Sequence, residues 1–309
     1  MEADPHIAGA VSAAHARLEA DLVRDLPGLS GRVRPWMAGL SHTGAPPDYF
    51  LHPEAYPLVR IPFWLLERLN APVDDAFAAD LVYAALSGYY YLRLMDNLMD
   101  GHGAIEREIL PAANFFQLGA LFPFKPYFGP DHPFWDRYRA WWLRFAEATW
   151  RDGALESIDG QAFETHAAQK TCPEKILVAA VCYRTGREGL LPDWTGFAEA
   201  FGRWHQMGDD LRDWAQDHKE GRATYFLSEA DRRRGKNETV TGWVARDGYR
   251  WGARELAARF EELETRAAGL GSPGLATYLA ARKRLSEDRV DRVLRGFQAL
   301  AGLQEILEG

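Results

Sequence analysis

Cysteine is scarce: the 309-residue chain has two, Cys172 and Cys182. Two such residues make neither a disulfide framework nor a thiolate metal pattern, and they fit a reducing compartment. Long apolar runs are also missing. No uninterrupted stretch approaches about 18 residues, so no segment is expected to span a membrane. The opening MEADPHIAGAVSAAHARLEADLV is acidic and broken by polar side chains. It reads as neither a secretory leader nor a lipid-anchor signal, and a cytoplasmic location is the expectation. Positive charge is in deficit, with 36 Lys and Arg against 44 Asp and Glu, a formal net charge of −8. That balance argues against a nucleic-acid partner, because a phosphate backbone demands a basic footprint. Alternating β-branched segments, fixed-period repeats and low-complexity tracts are all lacking.

What is present is apolar and helical in period. Apolar residues make up 47% of the chain and aromatic residues 13%, with 11 Trp, so the chain is globular. Periodicity predicts helices near 7–25, 57–70, 74–100, 104–121, 133–152, 157–169, 173–187, 193–218, 239–268 and 273–307. Breakers separate them at 43–53, 122–133 and 269–273. The charged segment EADRRRGKNETV at 229–240 reads as a mobile surface loop. No long linker divides the chain, and the expectation is one all-α domain over 1–309.

Two acidic clusters interrupt this pattern. Asp96 and Asp100 lie four apart in LSGYYYLRLMDNLMDGHG, so a helix sets both on one face, about 5–6 Å apart at Cβ. Buried-type residues surround them, and Gly101 and Gly103 end the helix where its dipole disfavours anions. The second cluster, MGDDLRDWAQDHKEGRATYF, places Asp209, Asp210, Asp213 and Asp217 within nine residues. Asp209–Asp213 and Asp213–Asp217 are both i, i+4 pairs, so one helical stripe carries the acids. Lys219 and Arg222 follow at the helix end. Two like charges 4 Å apart repel by about 4 kcal/mol at an effective dielectric of 20. A divalent cation reverses that sign. All-oxygen ligation suits Mg²⁺, or Mn²⁺, and Mg²⁺ keeps room for substrate phosphates. No His/Cys cluster stands at zinc spacing.

With these residues in view, the chain resembles the class I isoprenoid synthases. Asp209–Asp210–Leu211–Arg212–Asp213 is similar to the second DDxxD of trans-prenyl diphosphate synthases. Arg212–Asp213, Asp217, Gly221–Arg222 and Tyr225 look like the RDxxxD…GRxY of squalene/phytoene synthases. The stretch from Arg93 through Asp96 and Asp100 to Gly101 resembles their RxxDDxxDG, with Asn97 in place of one Asp. Lys170–Thr171 resembles a diphosphate-contacting KT pair, and GRVRP at 31–35 echoes an element that binds isopentenyl diphosphate.

The resemblance implies a helical bundle around an apolar cavity, Mg²⁺, a prenyl diphosphate substrate and a homodimer. Its implied metal ligands are Asp96, Asp100, Asp209, Asp210, Asp213 and Asp217. Arg93, Lys170, Lys219 and Arg222 would hold diphosphate, with Tyr225 as a further donor. Tyr89, Tyr91, Phe115, Phe116, Trp142 and Trp204 are candidate aromatic faces for a carbocation. The expected chemistry is prenyl transfer, of the squalene/phytoene type or chain-elongating, with terpene cyclisation of a single prenyl diphosphate and a non-catalytic prenyl-diphosphate-binding regulatory subunit of the same fold as the alternatives. Peripheral membrane contact through an apolar product is also open.

Overall fold

An unbroken buried run forms the middle of the molecule. The computed structural model describes residues 5–41, 45–70, 74–99 and 104–308, with side chains described except at 104, 152, 153 and 300–308. Helix α10 (Cys172–Thr185) is buried at every position from Cys172 to Cys182. A helix buried on every face belongs inside a core, and here the run includes the charged Glu174 and Lys175 beside its apolar residues. Fully burying side chains such as Ile176, Leu177, Val178 and Val181 contributes about 1.5–3 kcal/mol each. Burial also raises the thiol of Cys172 to about 11 and that of Cys182 to about 12. Both cysteines are therefore apolar filler, not nucleophiles.

The other elements surround this helix. From the N-terminus they are α1 (Pro5–Asp25), α2 (Pro27–Leu40), α3 (Pro46–Leu51), α4 (Ile61–Leu69), α5 (Asp75–Met99), α6 (Ala104–Ile109) and α7 (Ala112–Leu121). Then α8 (Phe134–Ala154) and α9 (Gly160–Gln169) lead into α10. After it come α11 (Leu191–Glu220), α12 (Tyr225–Arg233), α13 (Val240–Trp243), α14 (Tyr249–Leu270) and α15 (Pro273–Glu308). No strand occurs among the described residues. α10 packs on α8, α11, α4 and α5, and α11 packs on α14, α9 and α12. None of the described helices is long and apolar enough to cross a membrane.

α3 falls inside the breaker expected at 43–53, and the helix expected at 104–121 is divided into α6 and α7; two further segments also depart from the sequence expectation. Residues 27–40, absent from the predicted helices, form α2 despite Gly28, Gly31, Gly39 and an internal Pro35. Val33, Trp36 and Met37 are buried on one face, which outweighs the roughly 1 kcal/mol that each glycine costs. The expected loop at 229–240 is helical through Arg233. Thr224 caps α12 by accepting from Leu227 N, and Tyr225 to Ala230 are buried beneath it. Only the stretch after Arg233 is a turn.

The approach of α9 to α11 is set by one glycine. A Cβ at Gly202 would lie 2.1 Å from Thr171 Cγ2 and 3.1 Å from Ala167 O. Thr171 cannot swing aside freely, because its hydroxyl donates to Ala168 O at 2.7 Å. Gly202→Ala is expected to destabilise the fold by about 1–3 kcal/mol, read as a lower urea midpoint. Adding Thr171→Ser, which removes the obstructing methyl, should recover much of it. A Gly202→Ala protein of unchanged midpoint would contradict this packing.

Candidate active site

The closing turns of α5 and α11 face one cleft of about 950 Å³. Asp96 and Met99 line it from α5, and Gln206, Asp209, Asp210, Asp213 and Asp217 from α11. Lys170, just past α9, and Arg222, just past α11, add positive charge. Thr149, Trp150 and Leu155 supply a partly apolar wall. Asp100 lies outside the described residues. The volume is within the usual range for a ligand pocket, about 300–1,000 Å³.

Local sequence explains the placement of each group. Positions 206, 210, 213 and 217 follow helical spacing, so one stripe of α11 reaches the cleft while Trp204 and Leu211 are buried behind it. Gly221 ends α11 with φ +70, and Arg222 N returns to Asp217 O at 2.9 Å. That left-handed turn, which glycine adopts without strain, brings Arg222 back to the cleft. Lys170 sits where the chain breaks between α9 and α10, at the Thr171 turn that Gly202 admits.

The acids differ in their surroundings. Arg93 Nη1 donates to Asp96 Oδ2 at 3.0 Å, both side chains being over 40% exposed, so the pair stabilises little. Asp209 pairs with Arg212 and lies 3.7 Å from His205 Nδ1. Burial, opposed by Arg212 and reinforced by Asp209, raises the carboxyl of Asp213.

Asp210 is the exception in the stripe. It is 3% exposed. Gln206 Nε2 donates to its Oδ1 at 2.9 Å, and Phe226 N to its Oδ2 at 3.3 Å. Burial pushes its carboxyl up to about 7. Each oxygen accepts one hydrogen bond, so Asp210 ties α11 to the start of α12 while also lining the cleft.

Two residues expected at the site lie off the cleft wall. Lys219 is exposed and does not line the cleft, being turned about 200° around α11 from Asp217. Tyr225 is absent from the cleft wall; its ring stacks on Phe163 at 4.7 Å and borders a small neighbouring cavity. Asn97 also faces away, donating to Glu106 Oε1 at 2.8 Å, which Trp36 Nε1 reaches at 2.9 Å. The substitution of Asn for Asp there serves the joint between α2, α5 and α6.

Of the aromatic candidates, Tyr89 and Trp142 line a small apolar chamber with Ala85, Gly88 and Ile176. Tyr91 packs on Trp142. Phe115 packs against the core, Phe116 is fully buried in it, and Trp204 packs on Phe201 and Phe260. Gln206, Thr149, Trp150 and Leu155 were not anticipated. Gln206 was reachable, one turn before Asp210 on the same stripe. The α8 residues carried no signal beyond general aromatic richness.

Among the described residues no group of three His, Cys, Asp or Glu is gathered closely enough to hold an ion alone. The anionic donors on the two walls are nonetheless carboxylates, the chemistry that hard dications prefer.

The sequence matches no family model and no curated protein. In three dimensions it is similar to a geranylgeranyl pyrophosphate synthetase from the archaeon Geoglobus acetivorans, with a TM-score of 0.66 over 94% of this chain and 99% of that one. Sequence identity is 14%. The chain has the all-α isoprenoid synthase fold.

Asn97→Asp would remove a donor to Glu106 and set two carboxylates together, for an expected loss of about 1–3 kcal/mol in urea titrations. Asp210 makes a pH prediction. Its folded value is raised, so protons favour the folded state. Its contribution is complete below the ordinary carboxylate range and is lost as pH climbs through 7. Asp210→Asn should therefore flatten the decline of the urea midpoint between pH 4 and 7, apart from the share left by Glu174, also raised to about 7 by burial. An unaltered slope would mean that Asp210 is ionised in its pocket.

Proposed function

We propose that this protein is a Mg²⁺-dependent isoprenoid synthase that ionises an allylic prenyl diphosphate and transfers the prenyl group. One observation carries the reading. Carboxylates from two helices remote in sequence line a single cleft together with Lys170 and Arg222, on an isoprenoid synthase fold.

Asp96 on one wall and Asp209, Asp213 and Asp217 on the other would hold Mg²⁺, with substrate oxygens completing its shell. Bound Mg²⁺ supplies charge neutralisation to the departing diphosphate. Lys170 and Arg222 bind diphosphate oxygens and orient the C–O bond that breaks. Arg93 holds Asp96 in place from the preceding turn. Met99, Trp150 and Leu155 keep water from the apolar end of the substrate. An aromatic face attracts a carbocation by about 0.5–2 kcal/mol.

A second reading, a terpene cyclase using one diphosphate, is favoured by the fate of the GRVRP arginines. Arg32 pairs with Glu108 and Arg34 with Glu19, and neither lines the cleft. A second diphosphate gains no cation from that element.

The test is the product spectrum from farnesyl and geranylgeranyl diphosphates, with and without isopentenyl diphosphate. A lengthened diphosphate or a doubled chain supports prenyl transfer, whereas a cyclic hydrocarbon from one substrate supports the cyclase. Asp213→Asn or Asp96→Asn should cut diphosphate release by about 10²-fold or more. Absence of release from every substrate, with no thermal stabilisation by Mg²⁺ plus diphosphate, would refute both readings.

A further inference from the structure

On the side of α11 turned away from the cleft, the residues at 204, 208, 211 and 212 border a second, smaller cavity of about 50 Å³. α14, α15 and Glu54 close it. Its charged lining is mostly cationic. Arg212 comes from α11, Arg282 and Arg289 come from α15, and His205, Glu54, Tyr249 and Ser286 also line it.

Two of the three guanidinium groups have carboxylate partners. Arg289 pairs with Glu54, and Arg212 pairs with Asp209, whose side chain belongs to the cleft. Arg282 differs. It is 7% exposed, its Nη1 donates to Pro53 O at 3.2 Å, and its guanidinium lies 5.0 Å from the centre of the Trp204 ring. Arg282 Nε donates to nothing, and neither does Trp204 Nε1, although Trp204 is 4% exposed. A buried cation beside two unused N–H donors is an unfavourable arrangement unless an acceptor joins it.

We propose that this cavity binds a small oxyanion of the phosphate class, at a site distinct from the cleft. Arg282 and Arg289 provide charge, Trp204 Nε1 and Arg282 Nε provide donors, and Arg212 borders the cavity while pairing with Asp209 of the cleft. Planar guanidinium groups match tetrahedral oxyanions well. The volume has room for roughly four water-sized groups, which suits the oxygens of one phosphate and leaves no space for an isoprenoid chain. Free phosphate and diphosphate share this chemistry with a prenyl diphosphate headgroup, and the size favours the free anions.

The test is calorimetric titration of the full chain with inorganic phosphate, inorganic diphosphate and isopentenyl diphosphate, in metal-free buffer at constant ionic strength. The Arg222→Gln background suppresses binding in the cleft. Saturable binding of the inorganic anions is expected there, weakened about tenfold or more by Arg289→Gln or Arg282→Gln. Trp204→Phe, which keeps the ring packing but loses the donor, should weaken it by a smaller factor. Arg289 is partly exposed, so its variant remains informative if Arg282→Gln fails to fold. Binding that disappears with Arg222→Gln, is indifferent to Arg289→Gln and Trp204→Phe, or prefers the isoprenoid compound over inorganic diphosphate would overturn the proposal. So would the lack of saturable binding to the Arg222→Gln protein.

Discussion

Like charge held at helical spacing is the constraint on which this structure turns. Four aspartates share a stripe of α11, and Asp96 faces the same cleft from α5. The chain disperses the repulsion by giving each acid a different environment. Arg212 partners Asp209, Arg93 partners Asp96, and Asp210 is withdrawn into hydrogen bonds with a raised affinity for its proton. What remains facing the cleft is an anionic surface rigidly backed by Trp204, Leu211 and α14, with Lys170 and Arg222 at its edges. A surface of this sign attracts cations.

The rigidity comes from behind the acids. α10 is surrounded on all sides, and α11 lies between it and α14. The chain breaks that position the cations, Thr171 before α10 and Gly221 after α11, occur where these packed helices stop. Charge and core are therefore not separate layers: the ends of the buried helices are the places where charge is displayed.

Much of this was legible in the sequence, for a physical reason. Helical period and the near absence of strand patterning announced an all-α fold, and the i, i+4 acids defined which face of α11 carries charge. The misses are equally instructive. α2 was hidden because glycine and proline lower local propensity, while the burial of Val33, Trp36 and Met37 depends on distant partners. The end of α12 was hidden because Arg232 and Arg233 make its last turn read as a charged loop. Asp210, Lys219 and Asn97 share motif spacing with their neighbours, yet their roles depend on which way one turn of helix points and on what meets them across space. The Asn97–Glu106–Trp36 joint links residues up to 70 positions apart, beyond the reach of a local motif.

The contact between Gly202 and Thr171 has an evolutionary consequence. Because a side chain at one position must be offset by a smaller one at the other, the two cannot drift independently. Among diverged relatives they should covary in volume, even where the acidic motifs have been rewritten. A pair of small-residue positions 31 apart, one in the long acidic helix and one at the break before the buried helix, is thus a marker by which distant members could be aligned when identity alone no longer serves.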